Sequence, residues 1–118
     1  MEAFFFQGRE DALPVYVCLR QALLDRWPET KIEVKKTQIT FREKYGYAYV
    51  SLPRRKCDRG LVVTFGLGEQ MHHPRITHST EAYPGRWTHH VSVPSAEAAD
   101  DQLLGWIELS REFSAAKK

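Results

Sequence analysis

The histidines are the residues of this chain best suited to chemistry, and they are clustered. All five lie between His72 and His90, within nineteen residues, and Arg75 and Arg86 lie in the same segment. Imidazole and guanidinium groups bind metal ions, transfer protons or bind anions. These three kinds of chemistry require different arrangements of side chains, so the spacing of the cluster distinguishes among them.

A metal site is the least consistent with this spacing. Structural zinc sites combine C-x-x-C with H-x(3–5)-H, and catalytic sites usually place two ligands four residues apart on a helix. The chain has no C-x-x-C pair. In an extended strand His89 and His90 point to opposite faces and do not chelate one ion. We therefore expect no metal, and without a P-loop or dinucleotide-binding fingerprint we expect no cofactor.

Catalysis by a nucleophile or a base is an open alternative. No serine lies in a Gly-x-Ser-x-Gly motif, and Cys57 lies in a basic turn without a companion motif. A small hydrolase or nuclease would use His90 or His78 as the base and Arg75 to bind an anion. The sequence does not decide whether the protein is an enzyme.

An anion-binding face is the interpretation that these residues favour. Guanidinium, amide and imidazole donors suit a carboxylate or phosphate, and tyrosine and tryptophan rings provide a surface on which a planar ligand stacks. The candidates occupy strand ends or polar strand positions: Lys36, Gln38, Arg75, Arg86, His90, Tyr47, Tyr49 and Trp87. The predicted function is a ligand-binding or interaction module with a basic, histidine-rich face, and the predicted partner is an anionic small molecule or nucleic acid.

A structural explanation of the same residues is equally open. Arg75 and Arg86 would then pair with Glu69 and Glu81 and order the long loop. The two tyrosines would cover the second sheet face or a contact between two copies of the chain. In that case the protein is a structural homodimeric domain.

Two amphipathic helices flank the segments that must position these residues. Apolar residues recur at three- and four-residue spacing between Asp11, a candidate N-cap, and Pro28, which ends the pattern. Ser95 is the candidate N-cap of the second helix. The apolar stripe of that helix consists of Leu103, Trp106, Ile107 and Phe113.

Between the helices the periodicity changes to two, which is typical of strands with one buried face. Strands are predicted in five segments: 32–35, 38–42, 47–52, 61–67 and 87–93. Alternation places Tyr47 and Tyr49 on one face of the third segment and Ala48 and Val50 on the other. We expect a short additional strand near Ile76–Tyr83.

These elements predict an α+β fold. An N-terminal helix precedes about five strands in a mainly antiparallel sheet, and a C-terminal helix follows. Neither helix connects parallel strands, so the simplest arrangement is a two-layer sandwich with both helices on one face. The length of 118 residues predicts a single domain, residues 1–118.

Composition limits the partners and the cellular location. The formal net charge of +2 is too small to imply nucleic acid, although residues 31–60 carry nine Lys/Arg against three Asp/Glu. A local positive field attracts anions, but a solvated basic face is the commoner explanation. The chain lacks the ~20 consecutive apolar residues of a membrane span and the pattern of a signal peptide. We expect a reducing cytoplasm and no membrane partner.

Four segments carry a resemblance to a known family: residues 36–41 (Lys-Thr-Gln-Ile-Thr-Phe), 74–76 (Pro-Arg-Ile), 83–90 (Tyr-Pro-Gly-Arg-Trp-Thr-His-His) and 100–106 (Asp-Asp-Gln-Leu-Leu-Gly-Trp). Through them nearly the whole chain resembles the small bacterial domains of unknown function numbered fifty-six fifty-five. The element order is also similar to that of MmcQ/YjbR-like DNA-associated domains. The resemblance implies a bacterial chain and supports the fold and the site, but it implies no reaction. The family commonly has Ala-Tyr where this chain has Leu109 and Ser110, which implies an altered pocket.

Overall fold

The computed structural model describes residues 5–53 and 59–116. Within these ranges there are two α-helices and six strands. Their order is α1 (Ala12–Arg26), β1 (Lys31–Val34), β2 (Ile39–Arg42), β3 (Gly46–Ser51), β4 (Leu61–Leu67), β5 (Ile76–Tyr83), β6 (Arg86–Val93) and α2 (Asp101–Ala115). A short 3-10 helix, Ala96–Ala98, precedes α2. Cys57, with most of its basic turn, lies outside the described residues. Neither helix is long and apolar enough to cross a bilayer.

The strands form one open antiparallel sheet in the order β1-β2-β3-β4-β6-β5. The α+β class is confirmed, but the sheet has six strands instead of about five. The sixth is β5, expected only as a short addition, which is an eight-residue edge strand. Its side chains are mostly exposed, so it needs little apolar alternation and its sequence gives a weak strand signal.

Both helices cover the same face of the sheet. The Tyr16 ring of α1 lies 6.1 Å from the Phe41 ring of β2, and the Trp106 ring of α2 stacks at 5.9 Å on Phe65 of β4. The stripe predicted for the last helix contributes Leu103, Trp106 and Ile107 to the core. These side chains belong to one apolar cluster between the helices and the sheet.

The helix ends differ from the predicted caps. Asp100 caps α2, because its Oδ1 accepts a hydrogen bond from Leu103 N at 3.1 Å. Ser95, the predicted cap, lies before the 3-10 helix and makes no capping bond. Asp11 precedes α1 without capping it, and its Oδ2 accepts instead from Gly60 N at 3.1 Å. Asp11 therefore links the start of α1 to the start of β4.

A bulge at the start of β3 places Tyr47 in the core. Phe41 pairs with Ala48, but the next residue, Arg42, pairs with Gly46, so Tyr47 is the extra residue. It is 1% exposed, and its hydroxyl lies 2.7 Å from Thr30 Oγ1. The prediction that Tyr47 and Tyr49 share one face of the sheet is wrong. The bulge turns the side chain of Tyr47 to the helix-covered face.

Ser110 of α2 completes the hydrogen bonding where β3 and β4 no longer pair. The register of the two strands covers only Tyr49–Ser51 and Val62–Thr64. Beyond it Gly66 N donates to Ser110 Oγ at 3.0 Å, and Ser110 Oγ donates to Tyr47 O at 2.7 Å. One hydroxyl therefore satisfies two buried backbone groups.

Replacing Ser110 by alanine should destabilise the protein because both backbone groups lose their partner. An unsatisfied buried group costs about 1–3 kcal/mol, so Ser110→Ala should lower the unfolding free energy by roughly 2 kcal/mol or more. Urea unfolding measures this. Ser92→Ala is the matched control, since Ser92 is exposed, and it should cost less than about 0.5 kcal/mol. Equal costs for the two variants would contradict the role of Ser110.

Candidate functional site

Alternate side chains of the sheet point away from both helices and form what we call the open face. One cross-strand row of this face consists of Thr40, Tyr49, Thr64, His90 and His78. No helix in the described part of the chain packs on it. Exposed faces of antiparallel sheets are usually polar, and this one carries hydroxyls, imidazoles and charged groups, which include the side chains of Arg86, Arg42 and Glu33.

Arg86, the first residue of β6, is the most unusual residue of the open face. Its relative exposure is only 9%. Its guanidinium lies over Gly66 of β4, where a Cβ built on Gly66 would approach Nη2 to 2.9 Å. A side chain at residue 66 would therefore displace the guanidinium from its present position, although the flexible Arg86 side chain can move.

No described residue forms an ion pair or a hydrogen bond with the Arg86 side chain. The pairing with Glu81 considered for it does not occur. A buried cation is costly unless an anion or several acceptors compensate for lost hydration. Arg86 is thus an arginine with little exposure and no described acceptor, whose guanidinium nitrogens keep some contact with solvent, since none of them is a fully buried unpaired atom.

Two histidines of the open face form a stacked pair. The His78 and His90 rings are 5.7 Å apart with an interplanar angle of 28°. His90 Nδ1 lies 2.8 Å from Thr64 Oγ1, and His78 Nε2 lies 2.9 Å from Thr80 Oγ1. Burial lowers the pKa of His90, and the neighbouring imidazoles of His78 and His89 lower it further. His90 is therefore neutral at neutral pH.

A groove of about 940 Å³ begins at this histidine pair and runs across the open face. It is lined by Thr37, Gln38, Ser51, Leu52, Val62, Thr64, Thr77, His78 and His90. Most of these side chains are neutral hydrogen-bonding groups, and none is an acid or a lysine or arginine. The groove can therefore hydrogen-bond a polar ligand without attracting it by charge.

Arg75 does not lie on the open face, because it fastens the loop before β5 to the start of α2. Its Nη1 donates to Asp100 Oδ1 at 2.9 Å and to Gln102 Oε1 at 3.1 Å, and its Nη2 donates to Ala98 O at 2.8 Å. The guanidinium also lies 5.8 Å from the centroid of the Trp106 ring. Glu69, the partner suggested by sequence, is not the one that Arg75 binds. The hydrogen bond from Arg75 is the main reason that the pKa of Asp100 is lowered.

The remaining candidates are divided between the two faces. Gln38 lines the groove, and Lys36 is exposed in the turn between β1 and β2. Tyr49 lies on the open face, with its hydroxyl over Gly46. Trp87 is half-buried on the helix-covered face, as alternation with Arg86 predicts. The structure thus brings Gln38, His90, Tyr49 and Arg86 to one face and separates Arg75, Tyr47 and Trp87 from them.

His89 is a structural residue of the helix-covered face, as its alternation with His90 predicts. It is fully buried, stacks at 5.2 Å on Phe65, and its Nε2 accepts a hydrogen bond from Met71 N at 2.8 Å. Its Nδ1 is buried near the Phe65 and Trp87 carbonyls without good hydrogen-bond geometry. Burial lowers the pKa of His89, and the two carbonyls partly oppose that effect. A neutral imidazole is required, because Nε2 must accept.

Sequence reasoning did not identify Thr64 and Gly66 as parts of the site. Gly66 interrupts an apolar strand, and a glycine inside a strand often marks the close approach of another group. That signal was present but did not indicate which group approaches. Thr64 offers no signal, since threonine is common in strands. Among the described residues, no group of three or more His, Cys, Asp or Glu side chains is placed to bind a metal ion.

Comparison with known protein families gives a match over nearly the whole chain. The model of a family described as a domain of unknown function (DUF5655) matches residues 1–114. No curated protein and no solved structure matches the chain. The match covers α1, the whole sheet and nearly all of α2, so the open face lies within the matched region.

Replacing Arg75 should weaken the fold because its hydrogen bonds join the loop to α2. Bonds to charged groups contribute about 1.5–3 kcal/mol each before losses to solvent, and Arg75 is partly exposed, so Arg75→Ala should cost about 1–3 kcal/mol in urea unfolding. Arg75→Lys should recover only part of this, since an ammonium lacks the planar fork. Lys36→Ala is the control and should cost less than about 0.5 kcal/mol. An unchanged unfolding free energy in Arg75→Ala would contradict the conclusion that Arg75 stabilises the contact between the loop and α2.

The protein should lose stability in mild acid because the folded state disfavours protonated His89 and His90. Both pKa values are lowered, so the unfolded chain binds protons more readily. Stability is then complete above the unfolded histidine pKa of about 6.5 and declines as the pH falls below it. Urea unfolding at pH 7.5 and pH 5.5 should give a lower free energy at pH 5.5. Asp100, whose pKa is lowered, loses its contribution only at more acidic pH. Equal unfolding free energies at the two pH values would contradict the conclusion that the folded protein keeps both imidazoles neutral.

Proposed function

We propose that this chain, which belongs to the DUF5655 family of domains of unknown function, is a binding module that takes a small anion on its open face. Arg86 is the principal donor, and the anion is a phosphate or a carboxylate, because both match the planar fork of a guanidinium. Cytoplasmic location and bacterial origin, expected from the sequence, remain predictions.

The observation that carries this proposal is the burial of Arg86 without a described acceptor. A guanidinium with restricted access to water loses part of its hydration, and proteins normally compensate by pairing it with an acid. Here the described residues provide no such acid, whereas Glu33, Glu43 and Asp100 each pair with another arginine. A bound anion would compensate Arg86 in the same way.

A neighbouring hydroxyl of the open face adds a donor at the end of the sheet where Arg86 lies. The Tyr49 hydroxyl lies over Gly46, at the end of the sheet where β3 begins, β4 ends and β6 begins. Thr88 faces the same side as Arg86, but its hydroxyl already donates to Thr80 O at 3.1 Å. An anion at Arg86 would therefore have the Tyr49 hydroxyl within the same part of the face.

The distribution of charge favours one anionic group over a nucleic acid. Nucleic-acid binding uses several lysines and arginines, each of which neutralises a phosphate. On the described strands of the open face the other arginine, Arg42, lies 2.9 Å from Glu33 Oε2, an ion pair with poor hydrogen-bond angles. Its charge is already compensated, so the described strands of the open face offer Arg86 and the exposed Lys31 of β1, whose register partner is Arg42. Two cations are few for a nucleic acid.

Hydrolysis with Arg75 as the anion-binding group is less well supported. The hypothesis requires Arg75 to act together with His90 or His78. The guanidinium of Arg75 is bound to Asp100 and Gln102, beside α2, whereas His90 and His78 lie on the open face. A homodimer remains a second candidate only through Tyr49, because Tyr47 is in the core.

The proposal predicts opposite effects of one substitution on stability and on binding. Arg86→Met removes a buried, uncompensated charge while keeping an apolar side chain of similar length, so the ligand-free protein should be as stable as wild type or more stable. Isothermal titration with inorganic phosphate at low salt should show saturable binding to wild type and none to Arg86→Met. Arg42→Ala is the matched control and should bind phosphate with wild-type affinity.

Two results would contradict the proposal. One is the absence of phosphate and acetate binding to the wild-type protein at low salt, where screening is weakest. The other is a loss of more than about 2 kcal/mol of stability in Arg86→Met, a cost that indicates a compensated, structural arginine.

A further inference from the structure

We infer that the anion bound by Arg86 is the phosphate of a sugar phosphate, whose hydroxyl-bearing body lies in the groove of the open face. This inference rests on the proposed function and adds the class of ligand. The groove is a separate part of the open face, and an anion bound at Arg86 would not contact the residues that line it.

The position of Arg86 relative to the groove supports a single extended ligand. Gly66, beneath the guanidinium, and Thr64, which lines the groove, are successive residues of β4 on the open face. Such residues are about 7 Å apart along a strand. A phosphate at Arg86 therefore lies next to the groove, and a group attached to that phosphate would enter it at Thr64 and His90.

The groove is much larger than a single anion. Its volume of about 940 Å³ is near the upper end of the roughly 300–1,000 Å³ that holds small-molecule ligands. An inorganic phosphate at Arg86 would leave this space to water. A pentose or hexose attached to the phosphate would occupy part of it and replace that water.

The chemistry of the lining favours a polyhydroxylated ligand. Only Leu52 and Val62 of the lining residues are apolar, although carbon atoms of the polar side chains make the lining surface slightly more apolar than polar. Threonine and serine hydroxyls, the Gln38 amide and the imidazoles each donate and accept hydrogen bonds. Sugar hydroxyls also do both, so they match this lining.

Two further features restrict the class. No acid, lysine or arginine lines the groove, so the body of the ligand is uncharged. No phenylalanine, tyrosine or tryptophan lines it either, and its aromatic rings, His78 and His90, are stacked on each other. The Nε2 atom of His90 makes no hydrogen bond to any described residue, while its Nδ1 is held by Thr64. That free nitrogen is placed to bind a sugar hydroxyl.

Titration calorimetry on the full chain tests this inference with defined probes. The probes are inorganic phosphate, ribose 5-phosphate, glucose 6-phosphate, fructose 6-phosphate, the three unphosphorylated sugars and AMP. At least one sugar phosphate should bind about tenfold or more tightly than inorganic phosphate. The free sugars should bind more weakly than the phosphate, because they lack the contact with Arg86.

Variants separate the groove from the anion site. Gln38→Ala should reduce the affinity for the best sugar phosphate several-fold and leave that for inorganic phosphate unchanged. Arg86→Met should remove both. Ser92→Ala, on the open face but outside the groove, should change neither.

The outcomes distinguish this inference from the proposed function. If inorganic phosphate binds and no sugar phosphate binds more tightly, the inference is wrong and the anion site stands. If AMP binds more tightly than inorganic phosphate and the sugar phosphates do not, the groove binds a nucleotide and the inference is also wrong. If no probe binds, both the anion site and the inference fail.

Discussion

Both helices, α1 and α2, cover the same face of the sheet, and the placement of the other side chains depends on this constraint. Side chains alternate along a strand, so this covering decides whether a residue of β4 or β6 enters the core or faces outward. Phe65 and His89 are buried beneath α2, whereas their neighbours Thr64 and His90 line the groove. A shift of one residue in either strand would exchange the two sets.

Several polar groups on the helix-covered side make hydrogen bonds that support the fold, although His89 Nδ1 is buried without a partner among the described residues. Ser110 bonds two backbone groups between β3 and β4, and His89 accepts from Met71. Arg75 joins the loop before β5 to the start of α2 through Asp100. Arg86, on the opposite face, is less exposed than Arg75, yet no described residue compensates its charge. This contrast is why Arg86, rather than Arg75, is assigned to the anion site.

Periodicity within one segment made the helices, five strands and the facing of His89 and His90 predictable. Features that depend on pairing between segments were not. The bulge that buries Tyr47 is a property of β2 and β3 together, and β5 is too polar for alternation to define it. The sequence identified Arg75 and Arg86 as anion binders on equal grounds. Only the tertiary structure separates them, because Asp100, which binds Arg75, is 25 residues away in the chain.

The most direct test of the anion site is the side-chain Nε–H resonance of Arg86 in a ¹⁵N-labelled sample titrated with phosphate. If Arg86 binds the anion, its resonance and the Gly66 amide should shift together and saturate with one dissociation constant. The Arg75 resonance should not move, because that guanidinium is held by Asp100 and Gln102. An unshifted Arg86, or equal shifts of both arginines without saturation, would contradict the assignment of the site.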